Sequence, residues 1–319
     1  MRPARIVVLF WSWLALATPM VLAEEPGKAA PAFVCRLDVP TRLQWHEHNG
    51  YCGEMSIQSC ALRYGVYVSQ YQARAMIDPS QKFEVLLGIN ETKVLDRLRL
   101  TYRHWDFARS SPPQYLDYLG WTKRQLAAGY PVIGGLYMHQ ETAHDYDHIV
   151  PIVGFRSAHD ATTFHGDDEL TFYDMFVLTP FTLSFHSLCA TREEAHAAKE
   201  PYHVPVRIDY GCALTGIVDP EHETFPVELA IAGESEPNLI AGQKPTMLQA
   251  RLVCKSLLPG RRYRLLRYDD YHEVPLTRFA SKGGFRSDLQ FTATAATHEM
   301  TDTFPSDSCV IYRCVADGT

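Results

Sequence analysis

Apolar positions along this chain change their period twice, and the changes divide it into stretches of different character. From Cys52 the run CGEMSIQSCAL reads as a helix, and helical spacing continues to about Leu126. Asn90 or Thr92 is placed to cap a helix carrying Val94, Leu95, Leu98 and Leu100. Pro112-Pro113 breaks the chain before Tyr115 to Ala128, where Leu116, Leu119 and Leu126 recur at helical intervals, and Gly129 ends that helix. After Pro131 the runs shorten. PVIGGLYM and HIVPIVGF are brief and rich in β-branched residues, and ELTFYDMFVL alternates, which predicts three strands. A helical half followed by an antiparallel sheet is an α+β layout. Past Val218-Asp219-Pro220 helical spacing disappears. VELAIAG, MLQARLVCKSL, RYRLLRYDD, LQFTATAA and CVIYRCV read as strands between turns, and five or more strands in about a hundred residues predict a β-sandwich.

The first residues add a compartment to that layout. Arg2 and Arg5 precede an apolar run from Ile6 to Ala17, and Val21-Leu22-Ala23 supplies small residues at the spacing of a signal-peptidase site. The reading is a cleaved secretory leader over residues 1–23, because the run is shorter than the roughly 20 residues of a spanning helix. It predicts a protein with no stable membrane anchor, released outside the cell or into a lysosomal or vacuolar lumen. What remains is comfortable for two domains, 24–217 and 218–319. The formal charge of −7 becomes more negative once Arg2 and Arg5 leave. Without any run of basic residues, nucleic acid is not an expected partner.

An oxidising compartment changes how the eight cysteines are read, since disulfides persist there. Cys189 with Cys212, and Cys254 with Cys309 or Cys314, are the pairings suggested by their places in the two regions; spacing alone does not choose. Asn90-Glu91-Thr92 is a glycosylation sequon, which puts its loop at the surface if used.

Cys52 stands apart from that framework. It lies at the entrance of the first helix, where its sulfur faces unpaired N–H groups and the positive end of the helix dipole, a setting that favours a thiolate. Gly53 removes a side chain where a substrate backbone would approach. A thiolate nucleophile needs an acid to protonate its leaving group. Of the fourteen histidines, His148 is the best placed, at the point where a polar loop enters a buried strand, whereas His46, His48, His144 and His159 lie in polar loops. Asp174, a carboxylate within an apolar run, is costly there unless paired, and a His partner supplies the pairing. Gln44 offers a side-chain N–H donor for an oxyanion, with Asn49 the nearer amide.

Gln44, Asn49-Gly50-Tyr51-Cys52-Gly53 opening a helix, AAGYPVIGGLY, DHIVPIVGF and LTFYD, taken in that order, resemble the papain superfamily of cysteine peptidases. Within it they look most like the bacteriocin double-glycine leader peptidases, the C39-like group, and their secreted relatives. The resemblance covers about Val39 to Phe181. It implies a papain-like domain before the sandwich, with Cys52 as nucleophile, His148 as general acid and base, Asp174 as the residue orienting the imidazole, and Gln44 as oxyanion donor. The step from Gln44 to Cys52 is longer than in papain. The expected activity is hydrolysis of peptide or isopeptide bonds in a peptide or protein substrate through an acyl-thioester, with no cofactor and no metal. Members resembling phytochelatin synthase carry the same order and imply transfer in place of hydrolysis. LLPGRRYRLLRY looks like one hairpin of a fibronectin type III module, so the second domain is expected to be fibronectin- or immunoglobulin-like and to bind carbohydrate or protein.

Other readings stand beside these. Cys52 is half of a structural disulfide if it pairs with Cys35 or Cys60. His148 is a satisfied core histidine and Asp174 a turn cap if neither meets the other. His46-x-His48 and His144 with His148 lack the companions a zinc site needs. A papain-like shell without turnover, binding or adhering through its sandwich, is the reading from another class.

Overall fold

The run that begins at Cys52 becomes helix α1 (Cys52–Leu62), and all eleven of its residues are buried. A helix buried all round is normally apolar throughout. This one carries Glu54, Ser56, Gln58 and Ser59, and each is hydrogen-bonded inside the protein. In this computed structural model, residues 32–45, 50–138, 146–174, 178–189, 193–194, 197, 202–204, 211–232 and 245–318 are described. The expected leader, together with His46, His48, Asn49 and His144, lies outside the described residues.

Around α1 the first part of the chain forms β1 (Phe33–Arg36), β2 (Val66–Val68), α2 (Gln70–Ile77), α3 (Glu91–Arg97), β3 (Leu100–His104) and α4 (Tyr115–Ala127). There follow β4 (Val132–Met138), β5 (Tyr146–Ser157), β6 (Glu169–Tyr173), β7 (Pro180–Ser184), α5 (Phe185–Leu188), β8 (Tyr202–His203) and β9 (Gly211–Ile217). The remainder is β10 (Thr224–Phe225), β11 (Val227–Ala232), β12 (Met247–Cys254), β13 (Arg262–Tyr268), β14 (Ser287–Thr292), β15 (His298–Pro305) and β16 (Cys309–Ala316).

The architecture is α+β with antiparallel sheets. One sheet runs β3-β9-β4-β5-β6-β7, with β1 added on β5 and β8 on β4. The three strands expected between Pro131 and Leu178 are β4, β5 and β6. Two strands lie where helix was expected. In β2, three residues are too few to show any period, and they are held by pairing with β16, far away in sequence. At β3 the helical count runs on too far: Leu98 caps α3, Arg99 at φ +56 reverses the chain, and Leu100 faces the core from a strand.

In the C-terminal part, a second sheet runs β10-β16-β13-β14 with β2 added on β16, and a third runs β11-β12-β15. Both contribute to one apolar cluster, including Leu229, Ala250 and Leu252 from the third sheet and Tyr263, Leu265 and Tyr312 from the second. All eight residues of β16 are buried. Val310, Tyr312, Cys314 and Ala316 face that cluster, while Cys309, Ile311 and Val315 face the larger one shared with α1, α2 and the first sheet. The expected boundary at 218 follows β9, and the described residues from 32 onward form one compact unit in which β16 serves both cores.

Candidate active site

Cys52 is the first residue of α1, and the first helical bond runs from the Met55 N–H to the Tyr51 carbonyl. The Tyr51 side chain makes no capping bond here, and Cys52 lies at the positive end of the helix dipole. The preceding turn is fixed from α2. Arg74 donates from Nη2 to the Gly50 carbonyl (2.7 Å), lies 3.4 Å over the Tyr51 ring, and donates from Nε to Glu54 Oε1 (2.7 Å). Glu54 also accepts the Val85 N–H (3.0 Å). Burial pushes the Glu54 carboxyl up, opposed by Arg74. Gly53 is explained by that same loop: a Cβ there would sit 2.3 Å from the Val85 carbonyl oxygen. The close approach is thus made by the protein's own chain, where sequence suggested a substrate backbone.

His148 is fully buried in β5, opposite Leu136 of β4. The Ser56 hydroxyl, one turn beyond Cys52 on the same helix face, donates to the carbonyl of Ile149, next to His148 (3.2 Å). That bond sets the Cys52 face of α1 against the His148 part of β5. Asp174 directly follows β6, the neighbour of β5. Its backbone carbonyl lies 2.6 Å from His148 Nε2. A carbonyl only accepts, so this contact puts the proton on Nε2 and makes Nδ1 the basic nitrogen of the neutral ring. The Asp174 carboxylate instead accepts from the Tyr202 hydroxyl of β8 (2.8 Å), and burial followed by this carboxylate pushes the tyrosine's pKa up.

Gln44 is buried, and its Oε1 has no hydrogen-bond partner among the described residues. The backbone on either side of it is gripped by one amide: Gln70 Oε1 accepts the Trp45 N–H (2.9 Å) and Gln70 Nε2 donates to the Leu43 carbonyl (2.8 Å). Gln70 is backed by Gln58 of α1, which donates in turn to the Val68 carbonyl (2.7 Å). Trp45 packs on Tyr51 with ring centroids 4.8 Å apart, bringing the Gln44 segment against the residue before Cys52.

Sequence reading missed Gln58, Gln70, Arg74 and Tyr202. Three of them are polar residues within helices whose neighbours are buried, a pattern that marks a partnered group; Tyr202 carries no comparable signal. Of the disulfide alternatives, Cys60 lies on the same helix as Cys52, about 12 Å along its axis, beyond bridging distance. Cys35 is opposite Phe155 on β1, and its thiol donates to the Leu126 carbonyl (3.2 Å). Cys189 and Cys212 are separate thiols. In the sequon, Asn90 donates to the Glu84 carbonyl and accepts the Leu86 N–H, both at 2.8 Å.

Among the described residues, no cluster of His, Cys, Asp and Glu is suited to a metal ion, and no helix is long and apolar enough to cross a membrane. No protein-family model and no curated protein matches the chain.

Proposed function

We propose that this chain is a secreted papain-like cysteine hydrolase, with residues 24–217 as its catalytic part and the two C-terminal sheets as a β-sandwich. The observation that supports the reading is the packing of helix α1, which begins at Cys52, against the strand of a buried histidine whose Nε2 is bonded to Asp174.

In the proposed reaction the Cys52 thiolate attacks a peptide or isopeptide carbonyl. The oxyanion is held by the Cys52 N–H and the Gln44 side-chain amide. Protonated His148 gives its Nδ1 proton to the leaving amine, and an acyl-thioester remains on Cys52. His148 Nδ1 then takes a proton from water, the hydroxide attacks the thioester, and the acid leaves as the thiolate is restored. Asp174 keeps the imidazole in the required tautomer throughout. The Tyr202 bond holds the Asp174 side chain and so steadies the carbonyl on the same residue.

Iodoacetamide labelling of the native, unreduced chain across pH tests this directly. Cys52 is expected to react at mildly acidic pH, more slowly in His148→Ala, and Cys52→Ala is expected to lose peptide hydrolysis by on the order of 10³-fold or more. Labelling of Cys52 only after denaturation, or full hydrolysis by Cys52→Ala, removes the proposal.

A further inference from the structure

Strand parity separates the cysteines that sequence left as alternatives. Side chains along a strand alternate between faces. Cys309 and Cys314 are five positions apart on β16, so they lie on opposite sides of the second sheet: Cys309 faces the larger core and Cys314 the smaller. Cys254 lies in the smaller core. Of its two possible partners, Cys314 alone shares its side of the sheet.

The crossing between the two C-terminal sheets brings this pair together. Phe225, the last residue of β10, is directly opposite Cys314 in the second sheet. Val227, the first residue of β11, is directly opposite Cys254 in the third. Pro226 is the one residue between them, so the chain changes sheets at the point flanked by the two cysteines. The Cα atoms of Phe225 and Val227 are therefore within roughly 7 Å. Residues opposed in an antiparallel ladder stand about 4.5–5.5 Å apart and point to the same side. Val227 lies in the small core and Phe225 packs against it, so Cys254 and Cys314 point inward from the two sheets at one corner. Both residues are fully buried, and in this structure each is a separate thiol. The neighbouring Cys254 thiol, then burial, raises the Cys314 thiol above its ordinary range.

We propose that Cys254 and Cys314 form a disulfide that staples the two C-terminal sheets at their crossover, with Cys309 left as a thiol. The oxidant is a disulfide RSSR, either a small molecule such as oxidised glutathione or a thiol–disulfide oxidoreductase. One cysteine loses its proton, and the thiolate attacks RSSR to give a mixed disulfide and RS⁻. The second thiolate then attacks the protein sulfur of that mixed disulfide and displaces another RS⁻. Two protein thiols lose two protons and two electrons, and RSSR becomes two RSH. Because both sulfurs are sealed in the folded core, exchange takes place before the two sheets close on each other. This pairing is independent of whether Cys52 is catalytic.

The test uses the full chain, unfolded with reductant and refolded with reduced and oxidised glutathione, then alkylated in denaturant at low pH and digested without reduction. Cleavage after Arg313 puts Cys309 and Cys314 on different tryptic peptides, so the partner of Cys254 is read from the linked mass. The expected product links Cys254 to Cys314 and is two hydrogens lighter than the two peptides together. Closing a loop of about 60 residues should also lower the unfolded fraction at a given denaturant concentration by on the order of a thousandfold relative to the reduced chain. Cys309→Ser should keep both results. Cys254→Ala/Cys314→Ala should abolish the gap between oxidised and reduced forms; if this double variant does not fold, the mapping on the natural chain decides alone. Linkage of Cys254 to Cys309, a stable glutathione adduct on either residue, or alkylation of Cys254 and Cys314 in the refolded protein overturns the proposal.

Discussion

The surroundings of the candidate site and the smaller C-terminal core use charge in opposite ways. Beside the candidate site, charged and amide groups are buried: Glu54 with Arg74 (2.7 Å), and Gln58 with Gln70. The smaller C-terminal core is aliphatic and aromatic, and pairs such as Arg251 with Glu299 and Arg262 with Asp317 lie at the surface. Arg313 of β16 is buried on the other side of that strand, where its Nη1 donates to the Tyr312 carbonyl (2.8 Å). A buried ion pair adds little net stability against a well-packed apolar alternative, but removing one partner strands the other. Surface pairs are screened and worth little either way. The site therefore rests on interactions that specify loop geometry at a cost, whereas the C-terminal sheets rest on apolar burial that tolerates surface change.

The sharpest way to break this contrast is Arg74→Met. It leaves Glu54 buried without its cation and releases the Gly50 carbonyl and the Tyr51 ring, so stability should fall by about 3–5 kcal/mol and Cys52 alkylation should slow as well. Denaturant unfolding and labelling rates read the two effects; if both are unchanged, the pair is not what holds the turn. Next in size is Gln70→Leu, which frees the backbone on both sides of Gln44 and leaves the Trp45 N–H and Leu43 carbonyl unmatched. A loss of about 1–3 kcal/mol is expected, with kcat falling more than KM rises, since Gln44 acts only on the oxyanion. A pure KM effect would assign Gln70 to substrate binding. Gly53→Ala follows: helix propensity gains about 1 kcal/mol, but the clash with Val85 costs about 1–3 kcal/mol, so a small net loss is expected with displacement of residues 83–87. A more stable variant with unchanged labelling would show that the loop yields freely. At the other pole, Arg251→Ala should leave the unfolding midpoint where it was.

How much of this was legible in the chain depended on whether a residue's partner was close in sequence or its type was rare in its setting. Cys52 at a helix entrance, His148 entering an apolar strand and Asp174 at the end of the next were visible because a polar side chain interrupts an apolar run at each. The C-terminal strands β11, β12, β13, β14 and β16 were visible by alternation or apolar content. By contrast, β15 reads HEMTDTFP, and much of it is exposed at the sheet surface, so its pairing with β12 leaves little apolar trace. The contact through which Asp174 holds His148 is a backbone carbonyl, which no side-chain pattern encodes. Tyr202 joins Asp174 from a two-residue strand whose partners lie on β4, so only the folded sheet reveals it.

The last expected effect concerns acid rather than mutation, and it probes the loop that leads from a surface turn to Val85, whose N–H donates to Glu54. Asp78 is only partly buried, yet bonds from the Ser80 hydroxyl and N–H, then from the N–H groups of Lys82 and Phe83, lower its carboxyl from 3.8 to about 2. A carboxyl with a depressed folded pKa adds stability above its unfolded value and loses it as pH falls toward the folded one. The turn at 78–83 should therefore be fully held above about pH 4 and open progressively as pH falls to about 2. Since the chain runs from this turn to Val85, over Gly53, opening should carry to the start of α1 while the C-terminal sheets stay protected. Amide exchange of Ser80, Lys82 and Phe83 between pH 5 and about 2.5, corrected for the intrinsic pH dependence, reads the change. Asp78→Asn should bring the open behaviour to neutral pH. Equal protection across that range, or simultaneous loosening of β12 and β16, would mean that the turn is not an independent unit and that the contrast between the two parts fails at its weakest point.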